Sequence, residues 1–145
     1  MKRFLMAGII AAAATVAQAQ EAVTYTTEDS FDDVIFGLEN AILDEGLVID
    51  HVSHTGDMLE RTKGDLDAEM TIYDMADIYS FCSAALSREV MEADPMNVQF
   101  CPYNIFVAQR PGEQVMIGYR PFPEGEMQKI QALLDGIVRN AIGLD

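Results

Sequence analysis

Two cysteines, Cys82 and Cys101, are the residues of this chain with the most chemistry open to them. A pair of thiols can bond to itself, work as a redox or nucleophilic site, or hold a soft metal ion. The bonded form requires the two Cα atoms to come within about 7 Å. A reactive thiolate requires a lowered pKa, which the amino end of a helix or a nearby arginine supplies. Cys82 stands just before residues 84–93, which read as a helix, and Arg88 lies within that stretch. Zinc or copper(I) would add His51, His54 or a methionine among Met58, Met70, Met75, Met91 and Met96 to the two sulfurs. The cysteines are not in C-x-x-C spacing, so a thioredoxin-type exchange is not indicated. The two histidines, three apart at a strand end, are not a standard ligand pair, and the methionines form no tight array. No metal is assigned; Cys82 and Cys101 stand only as its alternative ligands.

Around the cysteines lie groups suited to a ligand. Ser83, Ser87 and Arg88 occupy the first turns of the helix after Cys82, where backbone N–H groups and an arginine favour an oxyanion or carboxylate. Capping by Ser83 beside a solvated Arg88 is the plainer role. Tyr103 alternates with Cys101 on one strand face, and Tyr119 with Arg120 lies on the strand that returns beside it. These residues are the ligand-binding candidates, although a strand tyrosine more usually packs. The acidic group Asp65, Asp67, Glu69 and Asp74 lacks the pattern of a calcium loop and reads as a solvated segment. No Ser-His-Asp order, phosphate loop, H-E-x-x-H, haem-attachment or dinucleotide motif occurs. No catalytic residue is therefore assigned, and no cofactor is expected.

The amino end says where such thiols would work. Lys2 and Arg3 precede an apolar run over residues 4–16, and Ala17-Gln18-Ala19 follows. Charge, apolar run and A-x-A in that order form a secretory signal peptide, cleaved after Ala19. The run is shorter than the ~20 residues a spanning helix needs. The expectation is a signal at 1–19 and one domain at 20–145, exported and, in a bacterium, periplasmic. Thiols there meet oxidising conditions. The formal charge of the chain is −15, and removal of Lys2 and Arg3 makes it more acidic still. Such a surface repels nucleic acid and anionic lipid, keeps a protein soluble, and attracts a basic partner.

The elements that must position the cysteines follow from periodicity. Residues 23–27 alternate and are β-rich, a first strand. Ser30 caps a helix with Asp33 as its reciprocal partner; Phe31, Val34, Ile35, Leu38 and Ile42 form its apolar stripe, and Gly46 ends it. Residues 47–53 return as a strand, and 58–63 make a short helix. The acidic stretch 65–77 has no clear pattern. Residues 78–83 are a strand with Ile78, Ser80 and Cys82 on one face and Tyr79, Phe81 and Ser83 on the other. Helix 84–93 stops at Asp94-Pro95. Residues 98–109 carry the strongest strand pattern, Pro111-Gly112 turns it, and 114–119 returns. A last helix over 124–142 buries Met127, Ile130, Leu134, Ile137, Val138 and Ala141. Strands and helices that do not alternate strictly predict an α+β domain with a mostly antiparallel sheet and helices on one face.

The stretches Phe81-Cys82-Ser83, Met91-Glu92-Ala93-Asp94-Pro95 and Phe100-Cys101-Pro102, with the opening helix from Ser30-Phe31-Asp32-Asp33-Val34 to Glu45-Gly46-Leu47, resemble the domain-of-unknown-function 302 family over about residues 23–142. The resemblance implies a small two-layer α+β fold, two main helices against an antiparallel sheet, and frequent dimers. It implies no activity. Two positions depart from the family's pattern: Ser83-Ala84 stands where Asn-Pro commonly follows the first cysteine, and Pro102 follows the second cysteine instead of preceding it. A dimer could pair through an apolar strand edge at residues 98–107.

Together these features favour an exported binding or accessory protein whose site is the cysteine region, engaging a small ligand or a basic periplasmic partner in sulfur or redox metabolism. The alternatives are a thiol-dependent enzyme or sulfur carrier using Cys82, and a copper or zinc carrier.

Overall fold

Strand β1 (Val23–Thr27) forms where β-branched and aromatic residues alternate, and its exposed positions are Thr24 and Thr26. The computed structural model describes residues 21–144, so the expected signal segment 1–19 lies outside the described residues. Helix α1 (Phe31–Asp44) starts at Ser30, whose Oγ accepts from the Asp33 N–H at 3.2 Å and donates to the Asp33 carboxylate at 2.6 Å. Asp32 and Asp33 also suit the positive end of the helix dipole. Gly46, at φ +71°, releases the chain from the helix, and the Leu47 N–H bonds back to the Ile42 carbonyl.

Strand β2 (Val48–His54) leads into α2 (Thr55–Thr62) and a 3₁₀ turn, Gly64–Leu66. Strand β3 (Met75–Cys82) is followed directly by α3 (Ala84–Ala93) and a second 3₁₀ turn, Pro95–Phe100. Strands β4 (Tyr103–Gln109) and β5 (Val115–Tyr119) form a hairpin whose turn uses Gly112 at φ +75°. Helix α4 (Gln128–Ala141) closes the domain.

All neighbouring strands run antiparallel in the order β1-β5-β4-β3-β2. The two strands that flank α1 are thus the two edges of the sheet, and α1 spans it from edge to edge. Helices α1 and α4 pack on one face and on each other. They approach so closely that a Cβ on Gly37 would run into the Ala141 carbonyl. Tyr79, Phe81, Tyr103, Ile105, Val107, Ile117 and Tyr119 meet Val34, Leu38, Ile42, Ile130, Leu134, Ile137 and Val138 in one core. This is the expected α+β architecture with two main helices on one face of an antiparallel sheet.

Four boundaries differ from the sequence reading. The strand expected over 98–109 begins only at Tyr103. Asp94 accepts from the Met96 N–H and starts a 3₁₀ turn led by Pro95, so residues 95–100 coil instead of extending. Strand β3 starts at Met75 because Met75, Ala76 and Asp77 find partners in Gln109, Ala108 and Val107. Helix α2 starts at Thr55, and α4 starts at Gln128 because Gly125, at φ +94°, turns the chain first. The apolar edge expected at 98–107 is also corrected. Part of it lies in the 3₁₀ turn, and the rest is β4, the central strand, paired on both sides.

Candidate functional site: the cysteine end of the sheet

Register brings the cysteines together. Phe81 of β3 pairs with Tyr103 of β4, so the next residues outward, Cys82 and the Cys101-Pro102 segment, lie at the same end of adjacent strands. Their Cα atoms are 6.5 Å apart and the sulfurs are at bonding distance. Both side chains are half-buried. Cys82 stands one residue before α3, whose cap Ser83 is buried and accepts from the Leu86 N–H at 3.4 Å.

The expected ligand groups on α3 part company. Ser87 points inward and shares a 2.9 Å hydrogen bond with the Tyr103 hydroxyl, holding α3 to β4. Arg88, one position on, is 80% exposed and pairs with Glu92 at 2.8 Å along its own helix. Neither Ser87 nor Arg88 opens onto a cavity with the cysteines.

A cavity of about 150 Å³ does open beside Cys101. Phe100 and Pro102, the residues flanking that cysteine, form one wall together with Gln99. Arg120, Pro121 and Phe122, on the chain leaving β5, form the other. Tyr103 and Asn104 lie between them. Phe122 meets Phe100 edge-on at 5.9 Å and Tyr103 at 6.0 Å, so the aromatic floor is two T-shaped pairs around one ring. Asn104 is fixed: its Oδ1 accepts from Ser80 Oγ at 2.6 Å and its Nδ2 donates to the Pro102 carbonyl at 3.0 Å. Two of the sequence candidates, Tyr103 and Arg120, line this cavity. Cys101 itself does not, so the expected sharing of one pocket by Tyr103 and Cys101 reduces to adjacency.

Tyr119 serves elsewhere. Its hydroxyl donates to Asp135 Oδ1 at 2.8 Å, and the Tyr25 hydroxyl donates to the same oxygen at 2.7 Å. The shared carboxylate ties β1 and β5 to α4. Burial, and then the bond to Asp135, push the Tyr119 pKa well above its usual value; for Tyr25 the Asp135 bond is the larger cause.

The weaker metal candidates stay scattered. His54 pairs with Asp77 at 2.9 Å, His51 lies opposite Ser80, and Met91 packs against the core. Among the described residues, no three His, Cys, Asp or Glu side chains gather as a metal site.

Sequence reasoning missed Gln99, Phe100, Pro102, Asn104, Pro121 and Phe122. A signal was present: Phe100-Cys101-Pro102-Tyr103 and Arg120-Pro121-Phe122-Pro123 put aromatics and prolines at the adjoining ends of the hairpin strands. Prolines stop the ladder there, and aromatics then cover the open end of the sheet.

Similarity to known proteins agrees with the fold. No curated protein matches the sequence. Among solved structures, the chain is similar to a crystal structure of an uncharacterized conserved DUF302 protein from Bacillus stearothermophilus, with a TM-score of 0.60, 16% identity, and coverage of 84% of this chain and 95% of that one. A family model described as "Domain of unknown function DUF302" matches residues 23–135, so the chain belongs to the DUF302 family.

Proposed function

We propose that the protein is an exported binding or accessory protein, not itself a catalyst, whose working end is the Cys82–Cys101 strap and the cavity beside it. Its place would be sulfur or redox metabolism in an oxidising compartment, with a small ligand or a basic protein as partner. The observation that supports this is the coincidence of two features at one end of the sheet: cysteines at bonding distance, and a cavity walled by the residues on both sides of one of them. A bonded pair there is a rigid frame for a binding surface.

The test is a thiol titration of protein taken from its own compartment, native and then unfolded. The proposal expects no thiol to react before a reductant is added. Two reactive thiols would overturn it and favour a second reading, in which Cys82 is a nucleophile or sulfur carrier. That reading draws on the position of Cys82 directly before the ten-residue α3, whose positive end stabilises a thiolate. The thiolate would attack a terminal sulfur of a polysulfide and release the shortened chain. Reduced protein would then gain the mass of one sulfur atom, and Cys82→Ser would not.

A further inference from the structure

We infer that the cavity beside Cys101 binds a small organic monoanion, with a flat apolar body on the aromatic floor and a carboxylate on Arg120. The inference rests on the reading that this end of the sheet is the ligand end, but not on the redox state of the cysteines.

Size sets the first limit. A cavity of about 150 Å³ matches one that admits a benzene-sized molecule. It falls below the ~300–1,000 Å³ that larger ligands occupy, so nucleotides and peptides do not fit. The floor sets the second. Phe122, held between Phe100 and Tyr103, presents a fixed ring that gains most from another flat apolar group.

Charge sets the third. The chain carries 24 acidic and 9 basic residues, yet no carboxylate lines this cavity. Several of the few cations are already neutralised: Lys63 by Glu60, Arg88 by Glu92, and Lys129 by Glu89 and Glu126. The Arg120 side chain has no ion pair or hydrogen bond among the described residues. Its planar fork suits a carboxylate through two parallel hydrogen bonds. The side-chain amide of Asn104, held in place by Ser80 and Pro102, keeps one N–H uncommitted for a third. The wider acidic surface disfavours dianions, so a single negative charge is the best match.

The probe is benzoate, followed by backbone amide shifts of the mature protein in NMR at constant pH and ionic strength. Benzyl alcohol supplies the ring without the charge, and inorganic phosphate the charge without the ring. Saturable shifts confined to residues 99–104 and 120–122, with both controls weaker, are expected. Arg120→Gln should weaken benzoate by about tenfold, the loss of one good charge-assisted contact, and leave benzyl alcohol unchanged. Arg110→Gln, on a different surface, should change neither. Absence of a saturable response at this end, or equal benzoate affinity in Arg120→Gln, overturns the inference. Free thiols together with Arg120-dependent benzoate binding would sink the disulfide proposal and support this one. Bonded cysteines with no benzoate response would do the reverse.

Discussion

Opening the ring between Cys82 and Cys101 should weaken the fold by a definite amount and at a definite place. The two residues are 19 apart in sequence, and closing a loop of that length lowers the entropy of the unfolded chain enough to stabilise the native state by about 3 kcal/mol. The ring encloses α3 and the turn Pro95–Phe100. Beyond the ring, helix α3 is held by Val90, its one fully buried side chain, and by Leu86 and Met91, partly buried against the core. The Ser87–Tyr103 bond is worth about 1 kcal/mol. The pairing of Glu89 with Lys129 is exposed and contributes little. Loss of the ring should therefore free residues 84–101 locally as well as lower global stability. The variant to use is Cys82→Ser/Cys101→Ser, which leaves no lone thiol, compared with reduced wild type, which keeps the packing of both sulfurs. Urea unfolding should show a loss of about 3 kcal/mol and a steeper denaturant slope, because the open unfolded chain exposes more surface. Hydrogen exchange should quicken over α3 while β3 and β4 stay protected. A loss under about 1 kcal/mol, or unchanged protection of α3, would show that packing alone fixes this segment, and the argument from ring closure would fail.

Other perturbations test the elements around the site. Tyr119→Phe removes one of two hydroxyls donated to Asp135 and should cost about 1.5 kcal/mol in a chemical melt; Asp135→Ala, which strands the buried Tyr119 hydroxyl as well, should cost about 3 kcal/mol. Since the folded pKa values of Tyr119 and Tyr25 are raised, the stability they contribute is complete below their ordinary value of about 10 and is lost as pH rises through the raised values. Alkaline unfolding followed with phenolate absorbance should show this, and Asp135→Asn should lower both phenol midpoints. Gly37→Ala drives a methyl group into the Ala141 carbonyl and should cost roughly 1–3 kcal/mol by separating α1 from α4; a thermal melt within error of wild type would contradict that crossing. The bond to Asp77, and then its charge, raise the His54 pKa, so any stabilisation is present below the ordinary histidine value and lost as pH rises through the raised one. His54 is exposed although Asp77 is half-buried, so a histidine NMR titration should find the shift reduced by salt and abolished in Asp77→Asn.

Most of the fold was legible because local rules and tertiary contacts agree in it. Ser30 with Asp33, the stripe from Phe31 to Ile42, and Gly46 specify α1 without help from the rest of the chain. The start of β3 was hidden because Met75 to Asp77 extend only through pairing with 107–109, which no local pattern reveals. The turn Pro95–Phe100 was hidden in the opposite way. Val98 and Phe100 look like strand residues, but Asp94 and Pro95 ahead of them begin a coil. The cavity was the least legible feature, because its walls, the residues around Cys101 and those at 120–122, meet only once the β4–β5 register is fixed. Arg120 could be named from sequence as a cation at a strand end, but not as a cation that lines a cavity without an ion pair among the described residues.

The corrected strand edge moves the question of sheet extension to β1 and β2. In an antiparallel sheet with helices on one face, central and edge strands both alternate, and what separates them is pairing on two sides or on one. Strand β4 buries Tyr103, Ile105 and Val107 on the helix face, leaves Asn104 and Phe106 half-buried on the other, and is paired on both sides, so it offers no free edge. Strands β1 and β2 are paired on one side only. In β2 an irregularity between Ile49 and His51, with Asp50 exposed, blunts the edge against strand addition. Strand β1, Val-Thr-Tyr-Thr-Thr, has no charge and no irregularity. A second copy that joined this chain by extending the sheet would meet β1, on the far side of β5 from the cysteines. The ligand end and the extending edge would then be separate surfaces, and Arg120→Gln should leave the mass measured by light scattering unchanged.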